Sequence, residues 1–187
     1  LEPTDAPALD QLRADGLGFR IAPASHGQAS LWFMQQIAPD AVPYNFMVAA
    51  RIRTEVDEQA LEGAVSAVIE RHPALRTVFV EAGGSPYQVI LDDPEYEFVV
   101  LDGPDLDEEE AREELAVQGH LPMDLDNGPL VRVVLLTRGP ADHYLLVLVH
   151  HIASDAASAD VMIRELQEFY AGADPADREP AAPYTEF

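Results

Sequence analysis

Hydrophobic and polar positions alternate between two periods along this chain, and the strongest signal is the run from His143 to His150, apolar on both faces. A short segment of that kind suits a fully buried strand. The segment Val131 to Thr137 has the same character and is expected to pair with it across the turn Gly139-Pro140-Ala141-Asp142. Helical spacing is clearest from Asp57 to Arg71, where Ala60, Leu61, Ala64, Val65, Val68 and Ile69 form one stripe, and His72-Pro73 ends it. A second stripe of Ala159, Met162, Ile163, Leu166, Phe169 and Tyr170 predicts a helix directly after the His143 run. Between these lie a strand over Tyr44 to Ile52, a hairpin of Leu75 to Val80 with Tyr87 to Leu91 across Gly83-Gly84, and a short strand over Tyr96 to Leu101. Phe19 to Ser25 reads as an extended entry to a helix over Gln28 to Ile37, capped by Ser25, with Leu31, Met34 and Trp32 turned inward and Pro39 and Pro43 stopping it. The acid-rich Asp105 to Glu114 reads as the solvated start of another helix, where acids complement the helix dipole, and Leu121 to Leu130 as an irregular link. Helices interleaved with strands and hairpins predict an α+β fold, a mixed sheet with helices packed on it.

The ends carry less pattern. Leu1 to Leu17 offers only Leu9 and Leu12 for burial, so residues 1–18 read as a linker or weak N-terminal helix. Residues 19–171 hold the core pattern, and residues 172–187, rich in Pro and Ala, read as exposed.

Composition narrows the partners. The 187 residues are 48% hydrophobic, enough for one substantial core. With 34 acidic against 11 basic residues, the net charge of -23 argues against nucleic acid and against anionic membrane surfaces. Without cysteine there is no disulfide, thiolate nucleophile or cysteine zinc site. No signal-peptide core or 18-residue apolar run is present, and the expected location is cytoplasmic.

Candidate chemistry gathers at Val149-His150-His151-Ile152-Ala153-Ser154-Asp155-Ala156. Two histidines end a buried strand, where sheets of this kind place reactive groups. Neighbouring strand residues point to opposite faces, so one imidazole is expected to be reactive and the other structural. The alternative, two strand-end histidines satisfied by backbone groups, stays open on residue chemistry alone. A metal site is not expected, since no third histidine stands at ligand spacing. Asp155 has three available roles: orienting a ring, capping the next helix, or pairing with an arginine. A serine triad through Ser154 or Ser158 lacks the nucleophile-elbow pattern.

Several spaced motifs then coincide in order. Ser25-His26-Gly27-Gln28-Ala29-Ser30-Leu31-Trp32, Arg71-His72-Pro73-Ala74-Leu75-Arg76-Thr77-Val78-Phe79 and His150-His151-Ile152-Ala153-Ser154-Asp155 resemble the first three motifs of condensation domains from nonribosomal peptide synthetases, members of the chloramphenicol-acetyltransferase-like superfamily. Met123-Asp124-Leu125 to Gly128-Pro129-Leu130 and Tyr184-Thr185-Glu186-Phe187 resemble two further stretches, so the chain looks like the N-terminal half of such a domain. Gly27-Gln28, Leu31-Trp32-Phe33 and Ala38-Pro39 are similar to the polyketide-associated subgroup. Ser30 stands where the family has arginine, and Ala156 where it has glycine; a positive φ at Ala156 would strain the turn.

The resemblance implies one wall of a two-half enzyme that joins a carrier-bound acyl thioester to a carrier-bound aminoacyl group as an amide. It implies His151 as base or positioner of the amine, with His150, Asp155 and Ala156 supporting it. Asp155 would more readily pair with an arginine than touch substrate. Arg71, Arg76, Gln28 and Trp32 would be structural, while His26, His72, His120 and His143 read as surface or turn residues. No tightly bound cofactor or metal is implied; 4'-phosphopantetheine arms arrive on upstream and downstream peptidyl or acyl carrier proteins. The other implied partners are the C-terminal condensation subdomain and an adenylation domain in the same chain. Alternatives are an ester-forming acyltransferase or an epimerase of the same superfamily, or a non-catalytic recruitment domain. The isolated half is expected to be inactive.

Overall fold

Burial on both faces of one central strand organises the molecule. The computed structural model describes residues 7–14, 16, 18–38, 44–93, 96–178 and 181. In chain order these form α1 (Pro7–Ala14), β1 (Phe19–Pro23), α2 (His26–Ile37), β2 (Asn45–Ile52), α3 (Glu58–Arg71), β3 (Thr77–Ala82), β4 (Ser85–Leu91), β5 (Glu97–Asp102), α4 (Glu108–Gly119), β6 (Val131–Gly139), β7 (Asp142–His150) and α5 (Ala156–Tyr170). A 3-10 turn, Pro73–Arg76, replaces the expected start of the hairpin at Leu75. Pro39, Pro43, Leu17 and the Tyr184 to Phe187 motif lie outside the described residues, as does the side chain of Leu12.

The strands divide into two sheets rather than one. β1-β4-β3 is wholly antiparallel, whereas β2-β7-β6-β5 is mixed, with β5 and β6 parallel. β7 lies inside the larger sheet, antiparallel to both β2 and β6. Its alternate residues Leu145, Val147 and Val149 pack with α3 and α5, while Tyr144, Leu146 and Leu148 pack with α4, Trp32 and the link residues Met123, Leu125 and Leu130. This two-sided burial explains the unbroken apolar run. The hairpin turns at Gly83 and Gly84, whose φ values of 59° and 80° are left-handed and accessible to glycine at no steric cost.

Helix starts follow the sequence closely. Ser25 and Gln28 form a reciprocal capping box at α2, and Asp107 and Glu110 form another at α4. The inward face of α2 differs from expectation: Gln28, Trp32 and Gln35 are buried, while Met34 is 48% exposed. Leu9 of α1 is fully buried against Val78, Val80, Ala82 and Val89, so part of the expected linker is a packed element. His143 is likewise a core residue, not a surface one; its ring bonds with Thr137 Oγ1 at 3.1 Å and the Pro140 carbonyl at 3.2 Å. Residues 172–178 are exposed.

Candidate active site

β7 ends at His150 because the chain turns there. The His151 N–H donates to Tyr44 O at 2.8 Å and the Ala153 N–H folds back to His150 O at 2.9 Å. This turn separates the two imidazoles.

His150 is 2% exposed, and its Nδ1 accepts the Ile152 N–H at 3.1 Å. A ring nitrogen that accepts is unprotonated, so the bond fixes His150 as the Nε2–H tautomer. Burial, reinforced by the charge of His151, pushes its pKa down to about 4, and the ring is neutral at physiological pH.

His151 is exposed, lines a cleft of about 650 Å³ and packs edge-on to Phe46 at 5.8 Å. Its Nδ1 lies 3.2 Å from Ser154 O. A carbonyl can only accept, so Nδ1 carries the proton and the Nε2 lone pair of the neutral ring is free; Nε2 has no hydrogen-bond partner among the described residues.

Among the described residues Asp155 pairs with no arginine. It caps α5, accepting the Ser158 N–H at 2.7 Å and the Ser158 hydroxyl at 2.6 Å. The Ser158 hydroxyl bond, followed by backbone N–H bonds, holds its carboxyl below the usual range. The Ser154 hydroxyl donates to Asp155 O at 3.3 Å. Among the described residues neither serine hydroxyl bonds an imidazole, and no triad is assembled there. Ala156 is the first residue of α5, and no described non-glycine residue has positive φ, so alanine carries no strain here.

Gln28 reaches this turn from α2. Its Oε1 accepts the Ser25 N–H at 2.9 Å, and its Nε2 donates to Gln88 Oε1 at 3.0 Å and to Ile152 O at 3.4 Å. His72, which lines the cleft, and Arg71 both hold Glu165 of α5, Arg71 Nε at 3.0 Å and His72 Nε2 at 2.6 Å. His72 therefore lines the cleft as part of an ion-pair cluster and is not a plain surface residue. Burial alone would raise the Glu165 carboxyl; hydrogen bonds and charge from His72 and Arg71 outweigh it and hold the group below its ordinary value.

The structure thus brings His150, His151, Asp155, Ala156 and Gln28 together, while Arg71 does not line the cleft and is held on Glu165 beside the lining residue His72. Arg76 and Trp32 stand apart. Arg76 Nη1 donates to Leu91 O, and burial, then the charge of Arg20, lowers its pKa. Trp32 packs in the core and donates to Asp126 Oδ1 at 3.3 Å. Glu165 and Gln88 were not singled out from sequence. Glu165 carried a usable signal, because it falls on the apolar stripe of α5 between Met162 and Leu166. Among the described residues no cluster of His, Asp and Glu is arranged to hold a metal ion.

Comparison with known proteins gives a concordant result. A family model described as "Condensation domain" matches residues 20–187. The chain is 34% identical over 173 residues to tyrocidine synthase 3 of Brevibacillus parabrevis, covering 92% of this chain and 2% of that protein. It is 36% identical over 148 residues to the probable non-canonical nonribosomal peptide synthetase CymA of Salinispora arenicola, covering 79% of this chain and 2% of that protein. The chain therefore spans only a few per cent of these relatives. In fold it is similar to the solved starter condensation domain of rhizomide synthetase RzmA, with a TM-score of 0.76, 24% identity, and coverage of 87% of this chain and 41% of that one.

Proposed function

The chain belongs to the condensation-domain family, and from that premise we propose that it is the N-terminal subdomain of an amide-forming domain whose cleft supplies one wall of the reaction site. The observation that carries the reading is the state of His151: Nδ1–H is committed to Ser154 O while Nε2 is left as an acceptor on a residue lining the cleft. Two pantetheine-tethered substrates would enter, an acyl thioester upstream and an aminoacyl group downstream. The amine nitrogen attacks the thioester carbonyl, the new C–N bond forms, and the tetrahedral intermediate collapses by breaking the C–S bond. The upstream arm leaves as a thiol once the amine's proton has been passed on, with His151 Nε2 as the group that accepts or orients it. An α-amine with a pKa of about 7.7–8.0 is already partly free at neutral pH, so holding its lone pair on line contributes at least as much as removing its proton.

His150 and Asp155 hold the turn from either side and touch no substrate in this reading. Similarity to CymA, a probable non-canonical nonribosomal peptide synthetase, supports an amine acceptor over a hydroxyl. An unstrained Ala156 removes one motive for reading the chain as a non-catalytic recruitment domain. The partners are the two carrier proteins with their 4'-phosphopantetheine arms, the C-terminal subdomain and an adenylation domain. The test is to load defined acyl and aminoacyl groups on carriers and follow the amide by mass, with residues 1–187 alone and joined to the remaining part of the domain. Product is expected only from the joined form. Equal turnover by the 187 residues alone would contradict the two-wall site.

A further inference from the structure

Ile152, the residue after His151, has both of its backbone polar groups held by side chains. Its N–H is bound by His150 Nδ1 at 3.1 Å, and its C=O by Gln28 Nε2 at 3.4 Å. The first bond belongs to the histidine motif itself. The second comes from 124 residues away in the chain, from a glutamine only 7% exposed.

The orientation of the Gln28 amide is fixed by chemistry. The Ser25 N–H can only donate, so Oε1 must face it. Both protons of Nε2 then have acceptors, one on Ile152 O and one on Gln88 Oε1. Gln88, 4% exposed, is itself oriented because its Nε2 donates to Pro23 O at 3.0 Å. The result is a neutral relay from β1 through β4 and α2 to the turn that carries His151. A buried amide with every proton committed has no low-energy alternative, since turning it over would set N–H against N–H and oxygen against oxygen.

From this we propose that Gln28 is a positioning residue for His151: by holding the Ile152 carbonyl it fixes the turn in which His151 Nδ1–H meets Ser154 O, and so keeps Nε2 as the acceptor. The proposal rests on the reading of His151 as the working imidazole, and its tests separate the two. It extends Gln28 beyond helix capping, because the two roles use different atoms. The cap uses Oε1 and the Gln28 N–H; the relay uses Nε2.

Gln28→Glu exploits that division, since a carboxylate still accepts the Ser25 N–H but has no proton for Ile152 O or Gln88. The tautomer of His151 is read in the 187-residue chain by long-range 15N–1H NMR at pH 8. The unmodified chain is expected to show Nδ1–H, and Gln28→Glu a population moved toward Nε2–H. In the complete domain the same variant is expected to lower kcat about 10- to 100-fold with KM for the carrier-bound substrates little changed. An unchanged tautomer and kcat in a folded Gln28→Glu protein would overturn the proposal. Should that variant not fold, the unmodified chain decides: the Gln28 side-chain NH2 is expected as two resolved, slowly exchanging proton signals with nuclear Overhauser contacts to Ile152. Rapidly exchanging signals without those contacts would equally refute it. If His151→Ala left turnover intact while Gln28→Glu shifted the tautomer, the functional reading would fail and the positioning role would stand.

Discussion

Replacing His150 by asparagine should make the protein less sensitive to acid, and the size of the effect follows from its burial. In the folded chain His150 is neutral with a pKa of about 4, depressed by burial and then by the charge of His151. In the unfolded chain the same ring titrates near about 6.5. Between these values the unfolded state binds the extra proton, so this contribution to stability is fully present above about pH 6.5 and is lost as pH falls toward 4. Each tenfold difference in proton affinity is worth about 1.4 kcal/mol, so the loss amounts to about 2 kcal/mol by pH 5 and about 3 kcal/mol near pH 4. Asparagine places an amide oxygen close to the position of Nδ1, keeping an acceptor for the Ile152 N–H without a titrating group. Urea unfolding of both proteins at half-unit steps from pH 7.5 to 4.5 isolates the effect, because the carboxylates they share cancel in the difference. His150→Asn is expected to be less stable at neutral pH but to lose about 2 kcal/mol less by pH 5. Parallel stability curves over that range would refute the reasoning.

Asp155→Ala removes the cap of α5 and should cost about 1 kcal/mol in denaturant unfolding, whereas Asp155→Asn, which still accepts from Ser158, should cost a few tenths. Ala156→Gly should lower stability slightly, by about 0.5 kcal/mol, since this helical position has no left-handed φ to relieve; a clear gain would show strain after all. Glu165→Gln leaves Arg71 and His72 without their shared carboxylate. With those side chains 16% and 20% exposed, the cost should be about 2–3 kcal/mol, below the upper range for fully buried pairs. Because the Glu165 carboxyl is held below its ordinary value, that contribution is present above the usual carboxylate range and is lost on acidification below it, so the stability gap between wild type and Glu165→Gln should narrow as pH falls through and below that range.

Elements governed by local pattern were legible in the sequence. The α3 stripe, the glycine hairpin and the two-sided apolar run of β7 appear where periodicity predicts them, and so does the cap at Ser25; the acid-rich segment begins a helix as expected, while the Asp107 capping box there is seen only in the structure. Features set by distant partners were not. The division of the strands into two sheets depends on pairing choices such as β1 with β4, which no local pattern encodes. Leu31 and Met34 outrank Gln28 and Gln35 in any hydrophobic reading of α2, yet the glutamine Gln28 is buried because Gln88 and Ile152 satisfy its amide from far along the chain. His72 looked like a helix terminus beside Pro73 until Glu165 supplied its partner across 93 residues. Asp155 was open between three roles in sequence; Ser158, three residues on, decides it in favour of the cap. The histidine pair itself was readable as unequal partners, but which nitrogen of His151 remains an acceptor emerges only from the carbonyl of Ser154.

The most direct measurement of the central claim is amide formation by the complete domain, with and without His151→Ala, using carriers loaded with a defined acyl donor and aminoacyl acceptor. The account predicts that folding is retained, since His151 is exposed and outside the core, while the rate falls about 100-fold or more. Amide formation at the unmodified rate in the His151→Ala domain would contradict it.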